Sequence, residues 1–120
     1  MAAKVEPALA KRIESLTGQD AACCVVDLRQ EVARARKAPA FDAALARAKA
    51  LADEKRLLAV ALLKRRGELC GCELQAALDL THATVSHHMG VLLDAGLVVA
   101  EKRGKWVHYR LTPDAAANAP

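Results

Sequence analysis

Apolar residues recur along the first half of the chain at the three- and four-residue steps that bring them to one side of a helix. Leu9, Ile13 and Leu16 follow Pro7, a residue suited to a first helical turn, and Thr17-Gly18 stops the run. Asp20 reads as the cap of a second helix with the stripe Ala21, Val25, Leu28 and Val32, closed by Pro39. A third helical run covers Ala40 to Ala52. Asp53 caps a fourth, whose face is Leu57, Leu58, Ala61 and Leu62; basic residues Lys64-Arg65-Arg66 end it and Gly67 lies beyond.

Past Gly67 the pattern tightens and then changes period. A short helix runs through Cys72 to Leu78, a turn follows at Asp79-Leu80-Thr81, and a further helix extends from about His82 to Asp94, where Ala95-Gly96 stops it. Two helices joined by so short a turn predict a helix-turn-helix. Leu97 to Arg103 and Lys105 to Leu111 are extended runs hinged at Gly104, in which Trp106, His108 and Arg110 alternate with Val107, Tyr109 and Leu111. A β-hairpin wing with a basic tip is expected there. Pro113 to Pro120 is alanine-rich and predicts a frayed tail or at most one helical turn. The expected organisation is mainly α with a β-hairpin wing: an N-terminal helical extension over 1–40, a DNA-binding domain over 41–113 and a tail over 114–120.

Composition narrows the core. Of 120 residues, 27 are alanine and only 2% are aromatic, so the core must be helical, aliphatic and packed with small side chains, and a β-sandwich is set aside. The longest apolar run, Leu57 to Leu63, spans seven residues, far short of the roughly 20 that a membrane-spanning helix needs. The start, Met1-Ala2-Ala3-Lys4-Val5-Glu6-Pro7, offers no apolar stretch for a secretory leader, which places the expected compartment in the cytoplasm. Thiols stay reduced there, so Cys23, Cys24, Cys70 and Cys72 are expected as buried small hydrophobes, metal ligands or redox groups and not as structural disulfides. A net charge of +4 leans toward a polyanionic partner such as DNA.

The second helix of a helix-turn-helix must bury one face and offer short polar side chains on the other. Val85, Met89, Leu92 and Leu93 recur as the buried face, while Thr81, His82, Thr84, Ser86 and His87 cluster at the N-terminal end, where free N–H groups and the helix dipole favour phosphate. Lys102, Arg103 and Lys105 around Gly104 would add affinity for the DNA backbone, although the same charges also fit an ordinary solvated turn. Adjacent helical residues diverge by about 100°, so His87-His88 does not grip one ion. His87 is assigned to DNA and His88 to partial packing.

Cys70-Gly71-Cys72 sits where the short helix before the recognition helix begins. Residues two apart on a regular helix face nearly opposite ways, so both sulfurs reach one ion only if Cys70 lies in non-helical chain and Cys72 in the first turn, a bend that Gly71 permits. A helix N-terminus favours the thiolate that soft ions take. Cys23-Cys24 would bring the set to three or four sulfurs; alternatively Cys24 packs beside Val25 and Leu28 and Cys23 is incidental. Oxidation to a disulfide or polysulfide bridge is a second use for the same thiols. No Ser/His/Asp order, Gly-rich phosphate loop or carboxylate pair in a plausible cleft stands out, so neither an enzyme nor a small organic substrate is expected.

The run from Ala50 to Pro113 contains Ala-Leu-Ala-Asp-Glu-Lys-Arg, Gly-Glu-Leu-Cys-Gly-Cys-Glu-Leu, Thr-Val-Ser-His-His-Met, Asp-Ala-Gly-Leu-Val and Gly-Lys-Trp-Val-His-Tyr-Arg-Leu in order. It resembles the ArsR/SmtB family of metal-sensing repressors. That resemblance implies a homodimeric winged helix-turn-helix that holds operator double-stranded DNA in the apo form and lets go when a metal or metalloid binds. Cys70 and Cys72 match the family's paired-cysteine motif, and Thr84, Ser86 and His87 fall at its DNA-facing positions.

Two departures shape the expectation. The sequence stops nine residues after Leu111, where many members carry a long C-terminal dimerisation helix, so a zinc-type site there is not expected and the N-terminal helices take over dimerisation. No third cysteine follows shortly after Cys72, as it does in some arsenite sensors. Cys23 and Cys24 in the N-terminal extension resemble the cadmium/lead-sensing branch, where N-terminal cysteines join the pair across the dimer interface. Thiolate-rich ligation selects Cd(II), Pb(II), As(III) and Sb(III); four thiolates suit Cd(II) or Pb(II), and three suffice for As(III).

Overall fold

Capping chemistry decides where the principal helices begin in the computed structural model, which describes residues 4–118. What was expected of residues 1–3 and 119–120 lies outside the described residues. Pro7 opens α1 (Pro7–Thr17), which ends at Gly18 in the left-handed region, φ 70°. Asp20 accepts the Ala22 N–H at 3.3 Å and starts α2 (Ala21–Lys37). α3 (Pro39–Leu51) is followed by Asp53, which accepts the Arg56 N–H at 3.0 Å and starts α4 (Glu54–Arg66). A strand, β1 (Glu68–Cys70), leads into α5 (Gly71–Leu78). Thr81 caps α6 (His82–Asp94), and β2 (Val98–Arg103), β3 (Trp106–Leu111) and α7 (Pro113–Asn118) complete the order.

The chain divides into two compact units, with the boundary between Asp42 and Ala43. In the first, Ala21 is buried and its N–H reaches Glu14 Oε1 at 3.4 Å. Along the rest of the α2 stripe that spacing outlined burial fades: Val25 is half-buried, and Leu28 and Val32 are more than half exposed, as is Leu16 on α1.

The second unit holds the core. Val60 and Leu63 from α4, Leu74 and Leu78 from α5, Val85, Met89 and Leu92 from α6, and Leu69, Val98 and Tyr109 from the strands form one cluster. It is aliphatic and small-residue-packed, with Ala50 and Ala59 among its members. The expected face of α4 is corrected: Leu57 and Leu58 are exposed, and Ala59, Val60 and Leu63 point inward. A run that is apolar on every side cannot disclose its buried face by period alone. Leu93 likewise leaves the buried face of α6, being 37% exposed.

The wing carries one strand more than the hairpin expected. β1 pairs antiparallel with β3, which pairs antiparallel with β2, giving the order β1-β3-β2. Three residues flanked by helices are too short for period-2 alternation to show, so β1 was not legible. The segment Pro113–Asn118 is also more ordered than a frayed tail: α7 runs for six residues and buries Ala115 in the core. Together α5, the Asp79–Thr81 turn, α6 and the sheet make a winged helix-turn-helix. Among the described residues no helix is long and apolar enough to cross a membrane.

Candidate nucleic-acid interface and thiol pair

The turn between α5 and α6 is fixed by Asp79, which takes φ 54°, a left-handed conformation that Asp tolerates better than bulkier residues. Lys55 Nζ donates to the Leu78 carbonyl at 3.1 Å and so satisfies an end group of α5. Thr81 Oγ1 accepts the Thr84 N–H at 3.2 Å, and the two hydroxyls lie 2.9 Å apart. Thr81 is therefore engaged in capping and Thr84 is half-buried, while His82, Ser86 and His87 stand exposed on the same first turns. Gln75 Nε2 donates to His82 Nδ1 at 3.3 Å, which leaves the other ring nitrogen of His82 for an outside partner.

His88 faces inward, as expected of it. Arg56 Nη1 donates to His88 Nδ1 at 3.1 Å, Arg56 Nε donates to the Ala50 carbonyl at 2.6 Å, and Asp53 Oδ2 lies 3.9 Å from the His88 ring. A guanidinium has no acceptor, so Nδ1 must accept and its proton sits on the far nitrogen. The backbone N–H of Arg56 holds the Asp53 carboxyl below its ordinary range. This cluster ties the recognition helix to the start of α4. Arg56 carries no sequence signal for the role, since its partner is 32 positions away.

At the wing tip Gly104 takes φ 63° between β2 and β3, and Lys105 follows with negative φ, the pattern of a type II′ hairpin. Lys102 and Lys105 are exposed. Arg103, also exposed, has carboxylate partners that its sequence position did not disclose. Its Nη1 and Nη2 donate to the two Glu68 carboxylate oxygens at 2.9 and 2.8 Å, and Nη2 donates again to Glu101 Oε2 at 2.9 Å. The Arg103 guanidinium holds the Glu101 carboxyl below the usual carboxylate range. Arg110 Nη1 lies 3.5 Å from Glu101 Oε2, and His108 Nδ1 lies 3.8 Å from Glu68 Oε2.

The thiols meet where a strand turns into a helix. Cys70 is the last residue of β1 and the N-cap of α5, with extended φ −81° and ψ 162°; Cys72 lies in the first turn, 5.4 Å away between Cα atoms. Glu73 Oε1 accepts the Cys70 N–H at 3.0 Å, one half of a capping box, a role legible from an acid three places after a cap. Cys70 is buried and Cys72 exposed. Their sulfurs are joined as a disulfide, where the sequence led us to expect no structural bridge and gave disulfide closure as a second use of these thiols. A bridge between residues two apart closes almost no loop and so has little chain entropy to remove.

In the first unit Cys23 is exposed and Cys24 half-buried on α2. Two donors are fewer than the three or four that thiophilic ions take, and among the described residues no group of three or more His, Cys, Asp or Glu side chains is gathered to hold a metal.

Comparison with known proteins places this architecture. Residues 53–99, which span α4 to the start of β2, match the family model described as bacterial regulatory protein, arsR family. The chain is 52% identical over 65 residues to the arsenical resistance operon repressor of Escherichia coli, covering 54% of this chain and 56% of that protein. It is 38% identical over 88 residues to the putative arsenical resistance operon repressor ArsR of Halobacterium salinarum, covering 72% and 68%. The chain thus spans just over half the length of the first of these relatives. Among solved structures, the homodimeric winged helix-turn-helix DNA-binding domain from Mycobacterium bovis, a possible ArsR-family regulator, superimposes with a TM-score of 0.63 at 32% identity, covering 68% of this chain and 76% of that one. With its helix-turn-helix, its wing and more than two thirds of a relative in common, the chain belongs to the arsR family of bacterial regulatory proteins.

Proposed function

We propose that the chain is a cytoplasmic transcriptional repressor that binds operator double-stranded DNA as a homodimer and releases it when a thiophilic metal or metalloid ion binds its cysteines. The observation that carries this reading is the placement of Cys70 and Cys72 at the entrance to α5, the helix joined by a three-residue turn to α6. His82, Ser86 and His87, with Thr81 and Thr84 behind them, present the N-terminal end of α6 to the major groove, and Lys102 and Lys105 flank it from the wing. Exposed Leu16, Leu28 and Val32 give the N-terminal helices apolar surface for a second copy. The related Mycobacterium bovis domain is itself homodimeric.

Cys24 and Cys23 supply the donors that Cys70 and Cys72 lack. Cd(II), Pb(II), As(III) and Sb(III) are the ions that such sulfur sets select. Tying α2 to the start of α5 would displace the two recognition helices from one-turn spacing, which the operator requires. Linkage then sets the scale: a coupling of about 1–3 kcal/mol weakens operator binding roughly 5–150-fold.

The test is fluorescence anisotropy of a labelled duplex from the protein's own promoter region, with reduced protein and each ion added separately. The expected outcome is release by one or more ions, lost in Cys70→Ser. A second reading, a thiol redox or persulfide switch on the same residues, draws on the Cys70–Cys72 disulfide. Release by peroxide or persulfide with no response to any ion would replace the first reading by the second.

A further inference from the structure

Antiparallel partners share a face of a sheet, so the register sorts the wing's side chains into two sets. Leu69, Val98 and Tyr109 belong to the face that closes the core. The other face carries Glu68 and Cys70 on β1, His108 and Arg110 opposite them on β3, and Glu101 and Arg103 on β2. A continuous polar row thus runs from the thiol at one edge to the arginine beside the wing tip, and every charged group along it has a partner.

Arg103 is where that row bears on DNA. A guanidinium offers the same two-pronged donor geometry to a carboxylate as to a phosphate; Glu68 takes both Nη1 and Nη2 of Arg103 at 2.9 and 2.8 Å, whereas Glu101 reaches Nη2 alone, so Glu68 is the group that fills the prong pair a phosphate would use. Glu68 also stands two residues before Cys70 on the same short strand. Resting on the reading of ligand-controlled operator release, we propose that Glu68 is a positioning residue that competes with operator phosphate for Arg103. Its place on the strand ending in Cys70 makes that competition follow the state of the thiol pair.

Salt dependence reads the competition directly, because each phosphate neutralised adds about 0.9 to the slope of log K against log salt. Binding of the labelled promoter duplex is measured over a salt series for wild type, Glu68→Gln, Glu68→Asp and Glu68→Gln with Arg103→Gln, without ion and with Cd(II) or As(III). Ion binding is followed separately by thiolate charge-transfer absorption. Glu68→Gln is expected to steepen the slope by about 0.9. It should also shrink the fold-release caused by the ion while the absorption titration stays unchanged. Arg103→Gln in that background should return the slope to the wild-type value, and Glu68→Asp, which keeps the charge, should stay near wild type.

An unchanged slope in Glu68→Gln overturns the proposal. A steeper slope with undiminished release overturns its link to the thiols. If wild-type protein binds the duplex but no ion releases it, the ligand-release reading itself falls, and the failure is visible before Glu68 is altered.

Discussion

The two units of the chain are written in the same alphabet of alanine, leucine, valine and arginine, yet they use it differently. From Ala43 onward apolar side chains converge from five helices and three strands, and Leu74 and Leu92 are wholly buried. Up to Asp42 the helices are just as periodic, but Leu16 is 79% exposed and Val32 56% exposed. Periodicity marks a helix side that can be buried; it does not say that the same chain buries it. The difference teaches that one unit is specified by its own core, while the other keeps much of its apolar stripe exposed, the surface that our proposal gives to a second copy.

The sharpest break of this comparison is Leu92→Ala. Removing a side chain with no exposure from the centre of the winged unit should cost about 2–5 kcal/mol, read as a fall in the urea midpoint. A loss near zero would mean that the unit is held by something other than its core.

The reverse experiment puts charge on the other unit. Leu28→Lys together with Val32→Lys should leave the far-UV circular dichroism and the melting of the winged unit in place. The same pair should weaken self-association by tenfold or more, about 1.4 kcal/mol, in sedimentation. Unchanged association would remove α2 from the dimer surface and leave its exposed residues without a role.

How far the sequence could be read follows the same division. Helix starts at Asp20, Asp53 and Thr81 were legible because a short polar side chain ahead of a periodic run has one local use, and the structure finds all three capping. The recognition helix was placed from His82 to Asp94 because both its ends are chemically marked. What escaped depended on distant partners. β1 exists because Glu68, Leu69 and Cys70 find Arg110, Tyr109 and His108 some 40 positions on. The carboxylate partner of Arg103 was equally out of sight, since only the fold brings Glu68 to it from 35 positions away. α4 hid its inner face because Leu57 to Leu63 is apolar all round.

The smallest expected effect tests a glycine. The sequence suggested that Gly71 lets the chain bend so that Cys70 and Cys72 converge, but Gly71 is not among the positive-φ glycines. A Cβ built there would lie 3.8 Å from Tyr109 Cε2 and 3.9 Å from the Val107 carbonyl oxygen, ordinary contact distances. The convergence belongs instead to Cys70, whose φ −81° and ψ 162° make the passage from strand to helix in a conformation open to any residue. Gly71→Ala should therefore be neutral or stabilise by up to about 1 kcal/mol, since alanine narrows the unfolded ensemble at the first position of α5. Ion-triggered release should persist in the variant. A drop in the urea midpoint, or release lost with folding intact, would return the bend to the glycine and make the thiol pair depend on backbone freedom. If both are preserved, the strand-to-helix turn alone brings the sulfurs together, and the thiol pair is built on the same rigid winged unit as the recognition helix.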